Sequence, residues 1–460
     1  MVELRLSEIA QKIDGKILQG SASHTFHKFN IDSRLTEPGE LYFALIAERN
    51  GHEFVHSAVR KGASGAVISQ KIDTPNKGTA FILVNDTLEA LQKLARKVLS
   101  EFPVKVIGIT GSIGKTTTKE FTFDLLSRKF KVLKSEGNFN NHLGVPLSLL
   151  KLTDRHEVAV LEMAMSAPGE IRALTRIAPP DIAVLTNIKP VHLQFLKSLE
   201  EIALAKKEIL EGTKKDGTAV LNRDDSLISN IAKDWKGKKL FFGLSEDCDV
   251  RAHNIQKTGW EGMSFDLIYG KAKAKVHFPF LYESHLYNLL ASAAVGYALS
   301  MPIKDILVQI KSIRPLSMRG VLVHLKNNIK LIDDSYNSNP AALELALKGL
   351  NDLPAKRKIA VLGDMLELGE KEVEYHLQAG KQAAQQGWDI LITVGPLSRH
   401  MAEGALSAGM RTDQAFTFED SEQAAEEIWP LLQEGDLVLV KGSRRIKTDK
   451  IVEKLRRKGS

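Results

Sequence analysis

The sequence predicts an α/β protein of three domains. Its 460 residues are enough for about three units at the usual ~150 residues each. Short apolar, β-branched runs alternate with helical stretches along most of the chain, as expected for strands buried in parallel sheets. The punctuation changes twice, at Pro103 and at Arg314-Pro315, and a residue before proline is biased away from helix. The expected domains are therefore residues 1–101, 102–313 and 314–460.

The first segment mixes short apolar runs with turn signals and reads as a small α/β unit. In the second, Val158 to Leu161, Ile182 to Thr186 and Ala219 to Leu221 read as buried parallel strands. A more β-like stretch runs from about Leu240 to Phe280, and an alanine-rich helix follows from about Leu286 to Leu299. In the third, strand signals recur at Lys330 to Ile332, Ile359 to Leu362, Ile390 to Val394 and Leu437 to Val440. Asn339-Pro340 is an N-cap with proline at the first helical position. That alternation implies a Rossmann-like, doubly wound domain.

Hydrophobic residues make up 43% of the chain, so sizeable cores can form and global disorder is excluded. The longest apolar candidate, Leu289 to Met301, is broken by Ser292 and Gly296. It falls short of the ~20 residues that span a bilayer, so no membrane insertion is expected. The N-terminus lacks the regions of a signal peptide, and the single cysteine, Cys248, leaves no internal disulfide framework. These features favour a soluble, cytoplasmic protein. The net charge of +7 permits nucleic-acid binding. No aromatic-rich basic motif supports it, so no nucleic-acid partner is expected. Much of the excess lies in a solvated basic tail, Arg444 to Lys458. A basic surface also suits ligands carrying several phosphates.

The stretch GITGSIGKTTTKE, Gly108 to Glu120, carries the most chemistry. An apolar run ends in Gly108, Gly111 and Gly114, and Lys115, Thr116 and Thr117 open a helix. Strand, glycine loop and helix N-terminus together make a phosphate cradle, so the central sheet is expected to be of P-loop type with helices on both faces. Gly111, Ser112, Ile113 and Gly114 would present backbone N–H groups to phosphate oxygens. Lys115 would supply a point charge, and the Thr116 hydroxyl can reach Mg²⁺. The spacing departs from the common loop: Ile109 stands where the first glycine is usual, and Gly108 sits one place earlier.

Glu162 ends the strand HEVAVLEM. It is placed either as a Mg²⁺-binding acid beside the loop or as an ordinary acid at a strand end. Asn138, Asn140, Asn141 and His142 crowd the loop GNFNNHLGVP. Such amides bind ligands or simply satisfy their own backbone. Asn187 and His192 follow the next strand, the histidine as ligand or structural residue. Ser198 and Glu201 form a capping box. On the helix it starts, Leu199, Ile202, Ile209 and Leu210 make the apolar face. Lys206 shares that face, either snorkelling to the rim or held inward with a depressed pKa. IDDSYNSNP, VLGDMLELGE and VKGSR each follow a strand of the third domain, where open sheets bind ligands.

Taken together, these motifs resemble the Mur ligases, the ATP-dependent amide-bond-forming enzymes of peptidoglycan synthesis. The likeness covers nearly the whole chain and accounts for the displaced glycine. DDSYNSNPAAL, LGDMLELGE, VKGSR and, near the N-terminus, IDSRLTEPGELYFAL and GHEF resemble the members that act on D-alanyl-D-alanine.

The resemblance implies an ATP-dependent peptide ligase using ATP and Mg²⁺. It would join D-alanyl-D-alanine to UDP-N-acetylmuramoyl-tripeptide through an acyl phosphate, as a monomer. It implies catalytic roles for Lys115, His192 and Lys206. Thr116, Glu162, His192 and a carbamylated Lys206 would hold metal. Asn288, Arg319, Asp334 and Asn337 would join the phosphate loop in contacting ATP, and Ser33, Arg34, Asn138 and Asn141 would contact the UDP-substrate. Tyr282, Ser284 and His285 stand where the family has glycine, histidine and asparagine. The competing readings are a sister ligase adding the third stem residue, a folylpolyglutamate-type ligase, and a P-loop switch that makes no bond.

Overall fold

The structure is a computed structural model that describes residues 3–73, 78–191, 196 and 198–459. Its N-terminal part holds a five-stranded sheet in the order Lys16–Gln19, Ala80–Leu83, Gly65–Ile68, Leu41–Phe43, Phe29–Asn30. The first pairing is antiparallel and the others are parallel. Helix Thr87–Ser100 follows, capped by Asp86, whose side chain accepts from Glu89 N at 2.8 Å. Its buried Leu91, Leu94 and Val98 join one continuous core with Leu147 and Leu149 of the central part.

The central sheet has nine strands. Lys105–Thr110 lies between Val158–Glu162 and Ile182–Leu185, parallel to both. The chain first builds outward on one side of this strand and then on the other, so its carboxyl end is the switch point where open sheets bind ligands. Every residue of Val158–Glu162 and of Ile182–Leu185 is buried, because helices cover both faces.

The β-like stretch resolves into Lys238–Gly243, Val250–Lys257, Met263–Tyr269 and Ala272–Phe278. The last two pairings are antiparallel, which departs from a purely parallel sheet. Turns of a few residues join these strands, and parallel neighbours need a longer crossover.

The C-terminal sheet runs Val321–His324, Lys330–Asp333, Leu437–Lys441, Lys358–Gly363, Ile390–Val394, Ala415–Phe418. After the antiparallel first pair all neighbours are parallel, and helices lie between them in sequence, as the doubly wound reading expects. The helix Pro340–Leu350 starts at Asn339, whose Oδ1 accepts from Ala342 N at 2.9 Å.

Among the described residues, the central and C-terminal parts also touch outside the cleft between them. Trp260, in the turn between strands Val250–Lys257 and Met263–Tyr269, donates from Nε1 to Pro354 O at 3.2 Å, beside a Lys257–Asp352 pair at 2.6 Å. Tyr282 packs into the C-terminal core, close enough to Gly320 and Gly349 that a side chain at either would strike its ring.

Candidate active site

The strand Lys105–Thr110 hands over to the glycine loop, and helix Lys115–Leu126 starts at its end. A Cβ on Gly111 would fall on Thr186 Oγ1, and one on Gly114, at φ +85°, on Asn288 Oδ1. Only glycine allows these approaches.

The neighbouring strand end braces the loop. Ser112 N donates to Asn187 O and Ile113 N to Asn187 Oδ1, both at 2.9 Å. Thr186 Oγ1 and Asn187 Nδ2 donate to Ile113 O at 2.8 and 2.9 Å. Asn187 is thus a structural brace of the cradle. Lys115 Nζ folds onto the loop, donating to Gly111 O at 2.9 Å and Ser112 O at 3.1 Å. Burial lowers its pKa, and the Glu162 carboxylate opposes that shift.

Glu162 pairs in register with Ile109, which puts its carboxylate beside the loop. It is 2% exposed. Oε1 accepts from Asn140 Nδ2 at 2.9 Å, while Oε2 has no hydrogen-bond partner among the described residues. A buried carboxylate oxygen without a donor is costly, and a cation would satisfy it. No group of three or more histidine, cysteine, aspartate and glutamate side chains gathers among the described residues. A single carboxylate beside a phosphate loop is the protein share that Mg²⁺ takes when phosphate oxygens and water supply the rest.

From the C-terminal side, Arg319 Nη2 donates to Thr116 Oγ1 at 3.3 Å, with its guanidinium 4.1 Å from the centre of the Tyr336 ring. Lys441 Nζ lies 2.7 Å from Asp334 Oδ2 and donates to Asn337 O at 3.1 Å. Burial raises the Asp334 pKa, and Lys441 opposes it. These groups face each other across a cleft of about 1330 Å³. A single small-molecule site is ~300–1,000 Å³, so the cleft has room for a nucleotide and part of a second substrate.

Of the residues singled out in the sequence, Ser112 to Thr117, Asn138, Asn140, Asn141, His142, Glu162, Tyr282, Ser284, His285, Asn288, Arg319, Asp334 and Asn337 line this cleft. Asn141 is also used locally, its Oδ1 accepting from Leu143 N at 3.1 Å and Gly144 N at 2.9 Å. Asn288 Oδ1 accepts from Thr118 Oγ1 at 3.2 Å, so it secures the loop helix as well as facing the cleft. Gly111 sits behind the lining.

Ser33 and Arg34 lie outside the cleft lining, Ser33 buried and Arg34 exposed and paired with Asp32 at 2.7 Å. Lys206 is also outside the lining and 2% exposed. Burial, and then the charge of Lys115, hold its pKa well below the usual lysine value. Leu199, placed on the same helix face, is instead 37% exposed at the helix start. His192 lies outside the described residues.

Other roles escaped the sequence. Asp364, in the GDM motif, is buried, lies outside the cleft lining and accepts from Ser398 N at 2.6 Å, so it fastens a loop. Glu208 accepts from Gly169 N at 2.8 Å and Arg172 N at 2.9 Å, capping helix Glu170–Ile177. Tyr282 and His285 are buried between the domains, and Tyr282 OH and His285 Nδ1 find no hydrogen-bond partner among the described residues. Burial, with Arg319 and Lys441 nearby, pushes the His285 pKa down to about 3.

Two family models match the chain: the Mur ligase middle domain over residues 109–296 and the Mur ligase, glutamate ligase domain over 318–444. The UDP-N-acetylmuramoyl-tripeptide–D-alanyl-D-alanine ligase of Bacillus subtilis is 34% identical, with 99% of each chain covered. Among solved structures, MurF of Acinetobacter baumannii superposes with a TM-score of 0.89 at 28% identity, covering 99% of both chains. MurF of Thermotoga maritima in complex with ADP superposes with a TM-score of 0.81 at 30% identity, covering 94% of this chain and 97% of that one.

Proposed function

We propose that this chain, which belongs to the Mur ligase family, joins D-alanyl-D-alanine to UDP-N-acetylmuramoyl-tripeptide at the expense of ATP. The observation that carries the reading is the cleft itself. A phosphate cradle and Glu162, whose Oε2 has no hydrogen-bond partner among the described residues, on one wall face Arg319, Asp334 and Lys441 on the other. A P-loop switch gives no work to that second wall.

In this reading Lys115 releases the Gly111 and Ser112 carbonyls and turns to the outer phosphates of ATP. Arg319, already on Thr116, approaches the same phosphates from the C-terminal domain. Glu162 Oε2 and the Thr116 hydroxyl would hold Mg²⁺, which when bound offsets charge on the phosphate oxygens. An oxygen of the tripeptide's terminal carboxylate attacks the γ-phosphorus, and the bond to ADP breaks. The amine of D-alanyl-D-alanine then adds to the acyl carbon of the resulting acyl phosphate. The tetrahedral intermediate expels phosphate, and the amine proton leaves as the amide forms. Activation by ATP is needed because a carboxylate is a poor electrophile, and the protein's contribution is positioning and charge stabilisation.

By resemblance, Lys206 is assigned to hold metal as a carbamate. Its depressed pKa supplies the neutral amine that adds to CO₂ with loss of a proton. His192 is assigned beside it by resemblance, and Ser33, Arg34, Asn138 and Asn141 to the UDP-substrate by the same route. A monomer is proposed by the same resemblance. No helix among the described residues is long and apolar enough to cross a membrane, in keeping with a cytoplasmic enzyme.

Phosphate release from ATP tests the reading. It should require both UDP-N-acetylmuramoyl-tripeptide and D-alanyl-D-alanine. Brisk release without either one would favour a switch.

A further inference from the structure

We propose that Lys119 is a positioning residue for the metal-binding carboxylate. It fixes the 135–140 segment so that the segment grips Glu162 and leaves one oxygen turned to the cleft. This deepens the reading above and rests on Glu162 as a metal ligand.

Lys119 lies one turn beyond Lys115 on the loop helix and is 0% exposed. Burying an ammonium is costly unless its protons are used. Here they go to Ser135 O at 2.7 Å and Gly137 O at 3.1 Å, with Glu120 Oε1 also at 3.1 Å. Both carbonyls belong to the chain leaving strand Val132–Lys134.

That same segment holds Glu162 at two points. Ser135 Oγ accepts from Glu162 N at 3.2 Å, and Asn140 Nδ2 donates to Glu162 Oε1 at 2.9 Å. Asn140 O also accepts from Ala164 N at 2.9 Å, so Asn140 brackets the acid from both sides. The remaining oxygen, Oε2, is the donor-free one.

Among the described residues its other backbone ties include Ser135 N to Val160 O at 3.1 Å and a local turn, Phe139 N to Glu136 O at 2.9 Å. Residues 136–139 are exposed, and Lys151 adds a surface pair to Glu136 at 2.6 Å, a kind of contact that contributes little. A buried ammonium therefore does here what an apolar core does elsewhere. Because Lys115 and Lys119 share one helix, the phosphate cradle and the carboxylate are set relative to one rigid element.

The test is Mn²⁺ binding by the full chain in the presence of ADP, read from the free-ion paramagnetic resonance signal. Lys119→Met and Asn140→Ala should each weaken Mn²⁺ binding about tenfold, as loss of groups that orient a metal ligand does, while metal-free ADP affinity stays within about twofold. Lower thermal stability with unchanged Mn²⁺ affinity would make Lys119 merely structural and overturn the inference. Should Lys119→Met not fold, Ser135→Ala, which removes only the Glu162 N acceptor, is read in its place. Unchanged Mn²⁺ affinity there is equally fatal. Glu162→Gln separates the two levels. If it weakens Mn²⁺ binding while the other variants do not, only the role of Lys119 falls. If it too binds Mn²⁺ normally, Glu162 is not a ligand and the reading beneath falls.

Discussion

Lys441→Met removes one half of a buried ion pair with little change of volume. Lys441 Nζ stands 2.7 Å from Asp334 Oδ2, with the side chains 5% and 14% exposed. Breaking such a pair from one side costs about 3–5 kcal/mol, because the remaining charge is left uncompensated. Asp334 keeps some access to the cleft, so the low end, about 3 kcal/mol, is expected. For a domain of ~150 residues that is a fall of roughly 10 °C in melting temperature.

The loss should depend on pH in a defined direction. Burial already raises the Asp334 pKa, and Lys441 is the main group pulling it down, so without the ammonium it rises further. A carboxyl with a higher pKa folded than unfolded binds its proton more tightly in the folded state. Its contribution is then full below the unfolded value of about 4 and is lost as pH rises through the folded value. The Lys441→Met penalty should therefore be smaller at pH 5 than at pH 8, and Asp334→Asn in the same chain should recover most of it. Thermal unfolding at the two pH values, followed through amide exchange across Leu437–Lys441, checks both. A penalty equal at both and unrelieved by Asp334→Asn would refute the reasoning.

Three further outcomes follow from the site. Lys115→Ala should lower ligation turnover by about 100–1,000-fold, the usual loss for a group stabilising transition-state charge, and steady-state phosphate release measures it. Lys206→Ala should abolish most activity and regain part of it with added acetate; full activity without any additive would exclude the carbamate. His285, held at about 3 by burial, stays neutral in the folded chain while the unfolded chain protonates near 6.5. Its neutral form favours folding above that pH, and stability falls by about 2 kcal/mol at pH 5. His285→Gln should flatten this acid limb, and a His285 ring resonance titrating near 6.5 would contradict it.

The parallel strands were legible because their residues are apolar on both faces; Ile390–Val394 and Ile182–Leu185 could be little else. The phosphate loop was legible because glycine, lysine and threonine stand close together in sequence. The antiparallel edge was not, since Val250–Lys257 and Ala272–Phe278 carry many polar residues and short turns rather than periodicity decide their direction. Nor were the braces. Asn187 reaches Ile113 and Lys119 reaches Gly137 only after folding, and a lysine on a helix reads as solvated until its face is known. Asp364 shows the converse: an acid at a strand end, placed like a ligand, is spent on a loop amide.

The central claim is that ATP's terminal phosphoryl group passes to a peptide carboxylate in this cleft. Tripeptide substrate labelled with ¹⁸O in its terminal carboxylate tests it most directly. One labelled oxygen should appear in the phosphate released on ligation to D-alanyl-D-alanine. Unlabelled phosphate alongside normal amide product would contradict the account.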